Sequence, residues 1–359
     1  MDKKKIGILT YHYSNNYGAV LQAYSLQTVL TEKGHDTHII NLTPNLGLKG
    51  RLKTAITKPF AKTFNLFRQN RLNLYPKSSI FSNNLNSVDF KNFDYLIVGS
   101  DQVWRKDYTR GLGYSYFLDF APKQTKKISY AASFGLDYYS GDQKDINVIK
   151  SLLKSFSLVT VREKSGVNIC KELFETNAHM VLDPVLLSPK EAYSFKDEVE
   201  RPSGFITQYL LDASEKKVAF VKSIARSLDK EITLNYKQNS GRISLTNILF
   251  NRKKEKFPEI SEWIANIKNA DLVITDSFHG VAFSILFNKE FICIYNEKRG
   301  KTRMQNILDT FNLRHRAISE SEIDEFALSA LKPIEFNKVN HILETQKEYS
   351  LNLLFSNIN

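Results

Sequence analysis

Five short segments carry residue types that bind or activate small polar substrates, and each one follows an apolar run. Residues 271–282 (DLVITDSFHGVA) end such a run on Thr-Asp-Ser-Phe-His-Gly. A histidine so placed exchanges a proton near neutral pH, which makes His279 the first candidate for general acid–base work. The remaining histidines, His12, His35, His38, His179, His315 and His341, lack this setting. Gly280 beside it allows close approach by a ligand or by another strand. Residues 161–166 (VREKSG) put Arg162 at a strand end just before a helix. Its planar fork grips a carboxylate or phosphate bidentately, and the helix start adds partial positive charge. A surface pair with Glu163 is the competing reading.

Three further segments follow the same logic. Residues 297–303 (EKRGKTR) carry Lys298, Arg299, Lys301 and Arg303, either a second anion-binding patch or a solvated loop. Residues 98–104 (VGSDQVW) present Ser100, Asp101, Gln102 and Trp104, hydroxyl-binding groups beside a flat indole, as a sugar requires. Equally open is a helix cap by Ser100 or Asp101 with Trp104 in the core. Residues 12–19 (HYSNNYGA) offer Asn15, Asn16, Tyr17 and Gly18 ahead of a helix whose free N–H groups suit an anion. An N-cap by Asn15 or Asn16 with a turn at Gly18 explains the same residues. This is not GxGxxG, so dinucleotide binding gains no support. There is no HxH, HExxH or clustered-carboxylate motif, and no required metal is expected.

Loops of this kind work only when strands and helices hold them. The pattern predicts a strand at 6–11, a helix at 19–32 and a strand at 37–42, a βαβ unit and hence a parallel sheet. Strands at 95–98, 127–132 and 158–161 follow, with helices at 146–156 and 163–174. Prolines after Asp183, Ser188 and Arg201 break the periodicity. Beyond them come strands at 205–211, 231–234, 272–275 and 291–295, helices at 215–228, 260–268 and 281–287, and a mostly helical tail at 319–355. The expected architecture is α/β, two Rossmann-like doubly wound domains facing a cleft. The first would span 1–200 with a basic insertion around 45–80, the second 201–359 with the tail. Ligands in such sheets sit at the carboxyl ends of strands.

A chain of 359 residues fits two domains at roughly 150 residues each. Its 42% hydrophobic and 25% charged residues exclude wholesale disorder and collagen-like structure. Cys170 and Cys293, each in an apolar pattern, read as buried free thiols of a reducing compartment. No apolar run reaches 18 residues, and the lysines at the start precede too short an apolar stretch for a signal peptide, so a cytoplasmic protein is expected. The formal charge is +12, and no acidic residue lies between Asp36 and Asp89. There Lys49, Arg51, Lys53, Lys58, Lys62, Arg68, Arg71 and Lys77 alternate with Leu52, Ile56, Phe60, Phe64, Leu66 and Phe67. Residues 49–77 therefore read as a basic amphipathic helix resting on the inner membrane surface, at about 1 kcal/mol per basic residue. A solvated basic face is the alternative. No RNA- or DNA-binding motif accompanies the charge, and no nucleic acid partner is expected.

Read together and in order, IGILTYHYSNNYGAVLQAYSLQ, VGSDQVW, SYAASFG, VREKSG, VLDPVLL, TDSFHGVAFSILF and EKRGKTRMQNIL resemble the polysaccharide pyruvyltransferase family over residues 6 to 313. The resemblance implies a glycosyltransferase-B-like enzyme. Such an enzyme moves a pyruvyl group from phosphoenolpyruvate onto two hydroxyls of a sugar, as a cyclic ketal on a cell-surface glycan. It implies no cofactor beyond the donor substrate, and an acceptor of the lipid-diphosphate-linked saccharide kind. His279 matches the family's catalytic histidine, and Arg162 its phosphoenolpyruvate-holding arginine. Members carry Arg-x-His where this chain has Ser277, which shifts the missing cation to Arg299, Lys301 or Arg303. The donor side would thus comprise Arg162, Ser277, Gly280, Arg299, Lys301 and Arg303. The acceptor side would comprise Asn15, Asn16, Tyr17, Gly18, Ser100, Asp101, Gln102 and Trp104. A glycosyltransferase using a nucleotide sugar is the runner-up, and it lacks a diagnostic acidic residue for ribose in the second half.

Overall fold

The computed structural model describes residues 2–45, 62–109, 111–195, 202–235, 257–296 and 300–358. The chain divides into two compact units, one of Met1–Leu52, Asn65–Ser188 and Glu344–Asn359, the other of Lys53–Phe64 and Pro189–Leu343.

Unit 1 is built on β1 (Lys5–Leu9), α1 (Tyr17–Glu32) and β2 (Asp36–Leu42), the βαβ unit expected from the sequence. It continues through α2 (Lys62–Arg71), of which unit 1 holds the part from Asn65 on, β3 (Leu74–Ile80), β4 (Tyr95–Val98), β5 (Lys126–Ala132), α3 (Gln143–Leu153), β6 (Phe156–Val161), α4 (Lys164–Phe174) and β7 (His179–Met180). All seven strands are parallel, in the order β3-β2-β1-β4-β5-β6-β7. The apolar runs in β1 and β4 are buried on both faces, as a parallel sheet covered by helices demands. At Gly7 a Cβ would meet Leu96 Cδ2 at 2.7 Å and Ile40 Cδ1 at 2.9 Å, so any larger residue would have to displace both side chains at the sheet's centre. Strand order reverses between β1 and β4, which opens a ligand position at their carboxyl ends.

Unit 2 repeats the plan with β8 (Phe205–Tyr209), α5 (Glu215–Ser227), β9 (Glu231–Leu234), α6 (Ile260–Asn269), β10 (Leu272–Thr275), α7 (Phe278–Leu286), β11 (Phe291–Ile294), α8 (Lys301–Thr310) and β12 (Ala317–Ile318). Its parallel sheet runs β12-β11-β10-β8-β9, and order reverses between β8 and β10.

Three boundaries differ from the sequence expectation. The first unit ends at Ser188 rather than at 200, and the end of α9 (Phe336–Ser356) belongs to unit 1 instead of the second domain. The reason is packing: Leu354, Phe355 and Ile358 are buried, and Ser350 Oγ accepts from Leu182 N at 3.1 Å. The basic stretch is not one helix. Residues 49–61 lie outside the described residues, α2 covers Lys62–Arg71, and β3 then pairs Leu74 and Tyr75 with Ile39 and Ile40. Backbone pairing at the sheet edge overrides the helical spacing there. Cys170 and Cys293 are buried free thiols, and burial pushes the Cys170 thiol up to about 12. Among the described residues no helix is long and apolar enough to cross a membrane.

Candidate functional site

In unit 2 the carboxyl ends of β8, β10 and β11 are tied together by one buried carboxylate. Asp276 Oδ1 accepts from Leu211 N at 2.5 Å, and its Oδ2 accepts from Asp212 N at 3.1 Å, Lys217 Nζ at 2.9 Å and Asn296 Nδ2 at 3.3 Å. Lys217, buried on α5, also donates to Asp212 O at 3.1 Å, and Asn296 donates to Asp212 Oδ2 at 2.6 Å. Charge-assisted bonds of this kind fix loop positions firmly.

Directly after this anchor the chain turns into α7. Ser277, extended at the N-cap, donates its N–H to Thr275 Oγ1 at 3.1 Å, and Thr275 Oγ1 donates to Tyr209 O at 2.7 Å. The helix begins at Phe278, three residues earlier than its spacing predicts, so His279 lies in the first helical turn instead of the loop. Its imidazole is 7% exposed and meets the Phe278 ring edge-on at 5.3 Å. At Gly280 a Cβ would fall 2.2 Å from Thr275 Oγ1, so this glycine serves the approach of helix to strand, one of its two expected roles. Of the basic loop, Lys298 and Arg299 lie outside the described residues. Lys301 and the buried Arg303 fall in the first turn of α8, and the Lys301 ammonium sits 4.9 Å from the Tyr295 ring centre.

Unit 1 places its loops at the reversal between β1 and β4. Gly99 has φ +115, and a Cβ there would lie 2.1 Å from Tyr130 O, so the chain turns sharply out of β4. Ser100 is fully buried, with its Oγ 2.9 Å from Asp183 Oδ2 and 3.1 Å from Ala131 O. Asp101 is half-buried, and its Oδ1 accepts from Gln102 N at 2.9 Å. Gln102 Oε1 accepts from Arg105 at 3.1 Å. Arg162, 4% exposed, donates to Asp183 Oδ2 at 2.6 Å and faces Asp101 Oδ1 at 3.5 Å. Burial opposes its charge, yet Asp183, Asp101 and Glu163 together hold the guanidinium above its ordinary value.

Several acceptor-side expectations are corrected here. Trp104 is 1% exposed, stacked on Phe117 at 5.3 Å, and donates its indole N–H to Tyr116 O at 2.9 Å. No indole face is left for a sugar, and the core reading holds. Ser100, Tyr17 and Gly18 are likewise buried, and Asn16 caps α1 by accepting from Ala19 N at 3.2 Å. Asp101 and Asn15 keep exposed surface.

The unforeseen member is Arg68 on α2. It donates to His12 O at 3.2 Å, Ser14 O at 3.1 Å and Asn15 Oδ1 at 3.0 Å, so it holds the β1–α1 loop in place. Burial lowers its guanidinium to about 10. The sequence places Arg68 only in a basic amphipathic helix or on a solvated face, because nothing local signals a partner 53 residues away. Asp183, Lys217 and Asp276 were missed for the same reason. Among the described residues no three His, Cys, Asp or Glu side chains gather as a metal site would require.

His12, in that loop, has Nδ1 3.2 Å from Thr10 O and Nε2 3.2 Å from Asn41 Oδ1. Burial outweighs both contacts and lowers the imidazole to about 4. Between pH 4 and 6.5 the unfolded chain therefore binds a proton that the folded chain refuses. Stability is complete above the unfolded value and falls by about 3 kcal/mol as pH drops through this window. Urea unfolding from pH 7 to 4 measures the slope, and a His12→Gln variant losing none of it would exclude His12 as the source.

Comparison with known proteins completes the description. The polysaccharide pyruvyl transferase family model matches residues 16–298. No curated protein matches in sequence. Among solved structures, MnaA of S. aureus, solved with UDP, aligns with a TM-score of 0.52 at 12% identity over 99% of this chain and 97% of its own. An alpha-glucosyltransferase solved with UDP and DNA aligns with a TM-score of 0.50 at 10% identity, over 99% of this chain and 100% of its own. At such identity the likeness speaks to fold alone, which is glycosyltransferase-B-like, an α/β class with two Rossmann-like domains.

Proposed function

Because the chain belongs to the polysaccharide pyruvyl transferase family, whose model spans residues 16–298, we propose that it moves the pyruvyl group of phosphoenolpyruvate onto two hydroxyls of a saccharide. One observation carries the reading. His279 occupies the first turn of α7 at the carboxyl end of β10, beside the reversal of the second sheet, where ligands of such sheets bind.

The chemistry asks for a proton donor to carbon. His279 protonates the methylene carbon, and positive charge develops at the neighbouring carbon. A sugar hydroxyl adds there, phosphate leaves with the C–O electron pair, and a second hydroxyl closes the ketal. Two hydroxyl protons are lost: one balances the new methyl group, the other departs on hydrogen phosphate. A group that gives a proton and later takes one back suits an imidazole. The donor carries a carboxylate and a phosphate, for which Lys301, Arg303 and, outside the described residues, Arg299 supply cations in place of the arginine absent at Ser277. The acceptor belongs to the class of lipid-diphosphate-linked saccharides.

Thermal unfolding with phosphoenolpyruvate tests the donor. Ligand at 100 times its dissociation constant stabilises by about 2.7 kcal/mol, a readable shift. A rise with a nucleotide sugar and none with phosphoenolpyruvate would replace this reading with a glycosyltransferase.

A further inference from the structure

We infer that Arg105 is an anion-binding residue of unit 1, and that the saccharide acceptor presents a carboxylate or a phosphate to it. The inference rests on the pyruvyl-transfer reading above and deepens its acceptor side. Arg105, Gln102, Tyr108 and Gly135, which build the site, all belong to unit 1.

The first ground is a buried donor without an acceptor. The Arg105 side chain is 10% exposed, and its Nε has no hydrogen-bond partner among the described residues. Nη1 donates to Gln102 Oε1 at 3.1 Å, which leaves the Nε–Nη2 edge, the one that takes an oxyanion side-on. The Asp107 carboxylate stands 3.8 Å from Nε, too far for a hydrogen bond, and is itself mostly exposed. Lys106, the next cation in the chain, pairs with Asp145 instead. A guanidinium this far out of water and this weakly matched destabilises the loop, and a bound oxyanion offsets that cost. A carboxylate or phosphate fits the planar fork bidentately.

The second ground is that the fork is fixed before any ligand arrives. The Tyr108 ring centre lies 4.3 Å from the guanidinium carbon. Gly135, just beyond β5, stands at φ +73, and a Cβ there would fall 2.2 Å from Gln102 Oε1 and 3.0 Å from Arg105 Cδ. Glycine at this position therefore leaves room for the Gln102–Arg105 pair. Trp104 N donates to Ser133 O at 3.1 Å and Ser133 N donates to Asp101 O at 2.9 Å, which joins the loop after β4 to the loop after β5. These loops leave the carboxyl ends of adjacent strands, beside the reversal of the first sheet, where ligands of such sheets bind. A side chain already ordered loses little freedom on binding. Asp101 and Asn15 keep exposed surface in the loops at the same reversal, and both accept from hydroxyls. Hydroxyl-binding groups beside a fixed cation describe an acidic sugar, a hexuronate or a glycosyl phosphate.

The test uses the full chain as wild type, Arg105→Gln and Asp107→Asn, with binding read by calorimetry. The probes are methyl glucuronide, glucose-1-phosphate and the uncharged methyl glucoside. Wild type should bind at least one charged sugar about tenfold or more tightly than methyl glucoside, and Arg105→Gln should lose that preference, the usual result of removing a charged hydrogen-bond donor. The tighter of the two charged probes tells a uronate from a glycosyl phosphate. Asp107→Asn alters an exposed side chain and should tighten charged-sugar binding about threefold, because a competing carboxylate is gone. It decides the question if Arg105→Gln fails to fold: unchanged or weaker binding counts against the inference. Equal affinity for charged and uncharged sugars would overturn it, as would no binding of either charged sugar at millimolar concentration or a preference that survives Arg105→Gln. Thermal shifts with phosphoenolpyruvate on the same proteins separate the two readings. Arg105→Gln should keep the wild-type shift, and its loss would make Arg105 a donor contact and sink the inference. A wild-type chain with no phosphoenolpyruvate shift removes the pyruvyl-transfer reading, while the sugar comparison still decides the role of Arg105.

Discussion

On the proposed reaction, replacing His279 with Gln should lower pyruvyl transfer by about 10²–10⁴-fold, the usual contribution of a positioned general acid, while phosphoenolpyruvate should still raise the melting temperature. Glutamine keeps polar reach in the first turn of α7 but cannot deliver a proton to carbon. The residue packs beside Phe278 in the first turn of α7, and glutamine brings a polar side chain of similar reach to that place, so the fold is expected to survive the exchange. Phosphate release under saturating donor measures the loss. Retention of a third or more of wild-type turnover would take His279 out of the reaction. Loss of donor binding with proportional loss of turnover would make it a ligand to phosphoenolpyruvate instead of its acid.

The position of His279 was legible because its signal is local: a short apolar strand, a polar turn and a helix within a dozen residues. The βαβ opening was legible for the same reason, since the spacing of Val20, Ala23, Leu26, Val29 and Leu30 in α1 and the unbroken apolar run of β1 name their own environments. Contacts between distant segments left no such trace. Arg162 pairs with Asp183, 21 residues on, and faces Asp101, 61 residues back, and sequence spacing names neither carboxylate. Trp104 shows the same limit: an indole after Asp-Gln suits either a sugar or a core, and the ring of Phe117 decides it. The two-residue strands β7 and β12 are too short to show any period. β3 carries Pro76 and charged or polar residues on an edge, where pairing depends on β2 and not on its own side chains.

Substituting Lys217 with Met destabilises unit 2 by about 3–5 kcal/mol, the cost of leaving one partner of a buried ion pair without the other. Methionine fills much of the same volume, so the loss reports charge and hydrogen bonding more than a cavity. Lys217 and Asp276 are both nearly inaccessible, and the ammonium also donates to Asp212 O. Asp276 would be left with two backbone donors and Asn296, too little to offset burial of its charge. The double variant Lys217→Met with Asp276→Asn should recover part of the stability, because a neutral amide keeps an oxygen for Leu211 N or Asp212 N. Urea unfolding of wild type, Lys217→Met, Asp276→Asn and the double variant measures the cycle. A single variant within 1 kcal/mol of wild type would show that the pair does not hold these loops. The functional consequence follows from geometry: Asp276 immediately precedes the N-cap of α7, so loosening it frees the turn that carries His279. On the proposed reaction, a variant that still folds at low temperature should therefore lose turnover, because the turn that carries His279 follows Asp276 directly.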